Sequence, residues 1–164
     1  MYAATTRPAT PDDIPTILSF IIELAVYEKE RDKALATPES MHKALFEDGH
    51  VANAFIAEAD NKPVGFALYF YNFSTWIGKK GIYLEDLYVT PSARNLGVGK
   101  ALFRALAKVA IEEDCGRIDW SVLKWNTPSI GFYESSLGAI RQEEWVGMRL
   151  EGAEAFERLK SLGA

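Results

Sequence analysis

A chain of 164 residues with a hydrophobic fraction of 48% and a charged fraction of 25% suits a single domain over residues 1–164 with a real core, and excludes a low-complexity or disordered chain. Its net charge of −5 argues against nucleic acid or an anionic membrane as partner, since both favour clustered Lys and Arg. Cys115 is the only cysteine and His42 and His50 the only histidines, no apolar run approaches a membrane span, and Met1 to Thr6 lack the regions of a signal peptide, so a cytoplasmic protein with no disulfide and no metal is expected.

Thr10-Pro11-Asp12-Asp13 reads as a helix start, with a threonine cap, proline at the first helical position and acids facing the dipole. Ile14, Ile17, Leu18, Ile21, Leu24 and Ala25 recur at helical spacing, which predicts a helix to about Tyr27. Glu28 to Lys33 is a charge run expected in a solvated turn, and Thr37-Pro38-Glu39 starts a second helix that ends near Gly49. Ala54 to Ala57 and Val64 to Phe70 flank the turn-forming Asp60-Asn61-Lys62-Pro63, predicting an antiparallel hairpin, and Tyr83 to Val89 makes the following strand. The aromatic residues Tyr69, Phe70, Tyr71, Phe73 and Trp76 are expected to suit core packing in a half-buried hairpin better than a stacking surface.

A third helix carries Val98, Leu102, Phe103, Leu106 and Val109 inward, and Ile118 to Leu123 forms a further strand, reached by a parallel crossover. Thr127-Pro128 caps a short fourth helix that stops at Gly138. Trp145 to Leu150 is expected as a last strand and Ala153 to Leu162 as a C-terminal helix. The expected order is therefore helices first, an antiparallel meander, one crossover, and a closing helix and strand. That is an α/β (α+β) fold with a mixed, mostly antiparallel sheet flanked by helices.

Between the strand ending at Val89 and the third helix lies Arg94-Asn95-Leu96-Gly97-Val98-Gly99-Lys100. A helix N-terminus offers unpaired N–H groups and positive dipole, and glycine admits a phosphate close to the backbone. Ala101 stands where a Walker loop needs its metal-binding hydroxyl, and Leu102 where a dinucleotide fingerprint needs its third glycine. The remaining alternative from the residues alone is a glycine turn opening a helix beside two solvated bases.

Arg-x-x-Gly-x-Gly between strand and helix resembles the acetyl-CoA loop of the GNAT N-acetyltransferase family, whose successive amides grip the CoA pyrophosphate. Further stretches are similar to the family's diamine branch, which acetylates spermidine, spermine or thialysine. They are Arg7-Pro8-Ala9-Thr10, Glu23 to Glu28, Trp76-Ile77-Gly78-Lys79, Tyr83 to Val89 and Trp125 to Tyr133. The resemblance covers roughly Arg7 to Leu150 and implies the GNAT acyl-CoA N-acyltransferase fold and direct acetyl transfer from acetyl-CoA to a primary amine of a small diamine, polyamine or lysine-like substrate. It also implies a homodimer to which the last strand or the C-terminal region contributes.

By the same resemblance, Arg94, Asn95, Leu96, Gly97, Val98, Gly99 and Lys100 hold the cofactor phosphates, while backbone groups of Leu87, Tyr88 and Val89 bind the acetyl carbonyl and pantetheine amides. Tyr133 is the matching general acid, a phenol protonated at neutral pH and able to donate to the departing thiolate. Asn126 and Ser129 match polar contacts with cofactor or substrate, and Asn126 equally suits a turn. An alkylamine with a pKa of about 10.4 is neutral in only about one molecule per thousand near pH 7, so the site must take its proton or favour its neutral form. Glu85 is the candidate, as base through a water or as anchor. Period-two alternation sends Glu85 and Asp86 to opposite strand faces.

Tyr27 and Glu28, with Trp125 and Asn126, lie where the branch recognises its amine. Glu28 is alternatively one more member of the charge run. Lys124 departs from relatives that carry an acid there, and so speaks against highly charged substrates of the spermine kind. The other readings are acetylation of a protein N-terminus, a protein lysine or an aminoglycoside, and a non-catalytic acyl-CoA sensor.

Overall fold

The computed structural model describes residues 4–163, which pack as two compact units, one up to Leu123 and one from Lys124 onward. The first unit opens with β1 (Thr5–Pro8), a one-turn 3-10 helix at Pro11–Asp13, α1 (Ile14–Tyr27) and α2 (Pro38–Phe46). It continues with β2 (Asn53–Ala59), β3 (Lys62–Ser74), β4 (Lys79–Val89), α3 (Val98–Glu112) and β5 (Ile118–Trp120). The five strands form one sheet in the order β1-β2-β3-β4-β5. Every pair is antiparallel except β4 and β5, which the α3 crossover joins in parallel.

Of the three expected helix caps only Thr37 acts as such: Thr10 opens the 3-10 turn without a cap bond to its own side chain, and Thr127 is already the first residue of the fourth helix, whose cap is Asn126. Thr37 Oγ1 accepts from the Ser40 N–H at 3.2 Å and opens α2. The β2–β3 turn is tighter than the four residues expected. Asp60 and Asn61, at φ 51° and 58°, are the two central residues, and Lys62 and Pro63 already belong to β3. A register shift between Ala57 and Glu58 accommodates Pro63, which has no N–H to give the ladder.

Four expectations about the elements are corrected. A strand precedes the helices: β1 pairs with β2 from Thr5↔Glu58 to Pro8↔Phe55, in a segment too short to show alternation of its own. The second helix ends at Phe46 rather than near Gly49, and β5 stops at Trp120 rather than Leu123. Trp145 to Leu150 is not a strand. Its alternating apolar side chains stay exposed, Met148 at 90%, and no strand among the described residues pairs with it; a strand needs a partner for its backbone groups, whatever its pattern.

One core cluster joins Ile14, Ile17 and Phe20 of α1 and Met41 and Leu45 of α2 to Ile56, Phe66, Leu68 and Tyr88 of the sheet. Val98, Ala101, Leu102, Phe103 and Leu106 of α3 are buried outside that cluster, against β1 to β4. Ile17, Phe66, Ile56, Ile82, Leu102 and Leu106 are fully buried, each contributing roughly 1.5–3 kcal/mol.

The second unit holds α4 (Thr127–Leu137) and α5 (Gly152–Lys160), neither with a fully buried residue. α4 ends as expected at Gly138, in the left-handed conformation at φ 72°. Among the described residues no helix is long and apolar enough to cross a membrane.

Candidate active site

α3 begins at an exposed glycine. Gly97 sits at φ 84° as the N-cap, a conformation that a side chain would strain, and a Cβ there would meet nothing within 4 Å. The Ala101 N–H donates to the Gly97 carbonyl at 3.0 Å, so the amides of Val98, Gly99 and Lys100 come before the helical ladder. Asn95, at φ 62°, makes the other sharp bend of the loop, and Arg94 through Gly97 are all exposed. The loop therefore presents backbone amides ahead of the helical ladder at a helix start, with Lys100 exposed beside it, an arrangement able to hold an anion.

β4 brings to this loop an edge that no strand pairs beyond Leu84 among the described residues. Its pairing with β5 covers Ile82↔Ile118, Tyr83↔Asp119 and Leu84↔Trp120, and stops there. On its other side β3 continues to Gly65↔Val89, and a Cβ at Gly65 would come 2.5 Å from the Tyr88 carbonyl oxygen, so only glycine lets the strands meet. Glu85 to Val89 thus have one edge held by β3 and one edge past the end of β5. An extended, amide-bearing ligand fits such an edge as an added strand.

The point where β5 stops is also a bulge. Leu84 pairs with Tyr69 and Asp86 with Leu68, which leaves Glu85 as the extra residue. The strict alternation assumed for Glu85 and Asp86 is therefore interrupted. Glu85 is exposed while Asp86 is half-buried, and burial, then the charges of Glu85 and Glu28, push the Asp86 carboxyl up to about 6. Glu28, just past the C-terminal end of α1, is likewise raised, by burial and by Glu30. Three carboxylates from two elements thus share one electrostatic neighbourhood, a setting that favours a bound cation. The sequence marks Asp86 only as a residue on the strand face opposite Glu85. Its adjacency to Glu85 was visible, its burial was not.

Tyr27, at the end of α1, meets the loop. The Arg94 guanidinium lies 5.3 Å from the centre of the Tyr27 ring and 6.0 Å from that of Tyr88, and its Nε donates to the Val89 carbonyl at 3.1 Å. Tyr88 OH donates to Glu23, one helical turn before Tyr27. Burial and that bond push the Tyr88 phenol up to about 12. By its place in the sequence Arg94 has a phosphate role alone; its aromatic contacts span parts of the chain that no local pattern connects.

In the second unit Asn126 is buried, and its Oδ1 accepts the Ser129 N–H at 3.4 Å as the N-cap of α4. Of its two readings the turn is therefore present. Tyr133 is half-buried on α4, its ring 5.5 Å from that of Phe132, and Trp125 is 47% exposed.

The acetyltransferase (GNAT) family model matches residues 20–139, from mid-α1 through the loop, β5 and α4. This chain belongs to that family. A thialysine N-epsilon-acetyltransferase from Sus scrofa is 35% identical to this GNAT protein over 170 residues, covering 97% of this chain and 98% of that protein. One from Caenorhabditis elegans is 33% identical over 146 residues, covering 88% and 89%. Among solved structures, an integron cassette protein from the mobile metagenome of V. cholerae superposes with a TM-score of 0.76 at 28% identity, over 96% of this chain and 98% of that one. These matches identify an N-acetyltransferase of the diamine acetyltransferase branch, and GNAT enzymes use acetyl-CoA as co-substrate.

Proposed function

We propose that the protein transfers acetyl directly from acetyl-CoA to the primary amine of a small diamine, polyamine or lysine-like substrate. The observation that carries the acceptor is the Glu28, Glu85 and Asp86 cluster. It would hold a distal ammonium, while the reacting nitrogen is neutral, beside the β4 edge past the end of β5. The names of the Sus scrofa and Caenorhabditis elegans relatives support a lysine-like acceptor.

The donor substrate fits the amides of Val98, Gly99 and Lys100 with Arg94, Asn95, Leu96 and Gly97, and the backbone of Leu87, Tyr88 and Val89. Glu85 takes the amine proton through a water or anchors the amine. Tyr133 protonates the departing thiolate, a role supported by its place in the Asn126 to Tyr133 stretch, in which Asn126 and Ser129 are assigned polar ligand contacts and Trp125 an amine contact. Cys115 lies outside these stretches, and no acyl-cysteine step is required. The exposed apolar run Trp145 to Leu150 supports a homodimer, and the net charge of −5 supports an enzyme whose partners are neither nucleic acid nor an anionic membrane.

Labelled acetyl-CoA with a panel of amines tests the reading. Product is expected with thialysine, lysine or short diamines and less with spermine, given Lys124. No acetylated product from any amine overturns it.

A further inference from the structure

Arg94 belongs by sequence to the phosphate loop, yet its side chain packs on Tyr27, a residue assigned above to the amine. The guanidinium stands 5.3 Å from the Tyr27 ring centre and 6.0 Å from that of Tyr88, while Nε is tied to the Val89 carbonyl at 3.1 Å. Tyr88 in turn donates to Glu23, which sits one helical turn before Tyr27 on α1. Two contacts therefore clamp the last turns of α1 to the end of β4 and the loop: Glu23 to Tyr88, and Tyr27 to Arg94. Glu28, which carries part of the carboxylate cluster, is the residue after Tyr27 and caps that helix end.

We propose that Arg94 is a positioning residue for the amine: by stacking on Tyr27 it fixes the α1 end that carries Tyr27 and Glu28, so the acetyl-CoA loop helps to shape the acceptor site. A planar guanidinium is needed for this. It stacks on an aromatic face while its Nε holds the Val89 carbonyl, and a lysine ammonium cannot do both. The inference rests on the assignment of Tyr27 and Glu28 to amine binding.

A double-mutant cycle at saturating acetyl-CoA tests it, with thialysine as the acceptor. Arg94→Met is expected to raise the thialysine KM about 3-fold, the scale of an exposed cation–π contact, in addition to any rise in the acetyl-CoA KM. Tyr27→Leu is expected to raise the thialysine KM at least as much, and Arg94→Met placed on top of it to add nothing further. Tyr27→Phe keeps the ring and is expected to restore the sensitivity to Arg94→Met. Thermal melts of all variants identify any that fail to fold, and Arg94→Lys, the milder change, is read in the same way. If Arg94→Met and Arg94→Lys move only the acetyl-CoA KM, or if the Arg94 and Tyr27 effects multiply, the proposal is overturned while the acetyltransferase reading stands. If Tyr27→Leu itself leaves the thialysine KM unchanged, the amine assignment fails and takes the proposal with it.

Discussion

Two groups of carboxylates in the first unit differ in what faces them. Asp13 lies under Arg7, whose Nη1 and Nη2 reach its two oxygens at 2.7 and 2.8 Å while Nε reaches Glu58 at 2.9 Å. The guanidinium holds the Asp13 carboxyl down at about 2. No such cation faces Asp86 among the described residues; burial and the charges of Glu85 and Glu28 push it up to about 6. The first group ties β1, the start of α1 and β2 together and is closed to further chemistry. The second keeps negative charge together at a cost to stability, which is the usual condition of a site that awaits a cationic ligand.

The largest test of that contrast is catalytic. Glu85→Gln removes a carboxylate at the exposed bulge and is expected to lower kcat/KM for the acceptor about 100-fold, the scale of a lost acid–base group, with the melting temperature unchanged. Steady-state kinetics separate the two roles of Glu85. A fall in kcat identifies the base, and a rise in the amine KM alone identifies an anchor. Unchanged kinetics remove Glu85 from the site and with it the functional half of the comparison.

Asp86→Asn tests the cost. Because the folded-state value of Asp86 is raised from 3.8 to about 6, its contribution to stability is fully present below pH 4 and is lost as pH rises through 6. On the order of 3 kcal/mol is at stake. Urea titrations of the native protein are expected to show this loss between pH 4 and pH 7, and those of Asp86→Asn to lack it. Identical pH dependence in both would mean that the surroundings of Asp86 do not raise its carboxyl.

How far the sequence discloses this arrangement depends on the range of the interaction responsible. The Asp60-Asn61 turn, the Thr37 cap and the Gly97 bend are set by residues next to one another, and each is legible. The pairing of β1 is not, because Thr5 to Pro8 carry no alternation and take their strand character from β2. Trp145 to Leu150 fail in the opposite sense: they have a strand's pattern and no neighbouring strand to complete it. The bulge at Glu85 is a one-residue mismatch between two strands, which neither strand displays alone. The candidate site was legible as a loop and a set of residue types. The burial of Asp86 and the packing of Arg94 on Tyr27 required the fold.

Arg7→Met is the smallest of these tests and the sharpest on the structural side. The substitution keeps an unbranched chain over the sheet and leaves Asp13, only 6% exposed, without its cation. Arg7 is itself partly exposed, so water relieves some of the loss, and about 2 kcal/mol of destabilisation is expected at pH 7. The sign of its pH dependence is opposite to that of Asp86. A carboxyl lowered from 3.8 to about 2 contributes stability above pH 4 that is lost as pH falls through 2. The gap between Arg7→Met and the native protein should therefore narrow steadily from pH 4 to pH 2 in denaturant titrations, while acetyl transfer at pH 7, per folded molecule, stays unchanged. A gap independent of pH would assign the loss to the apolar stem of Arg7 and its packing. A fall in specific activity would show that the Arg7 network reaches the site and that the two carboxylate groups are not separate devices.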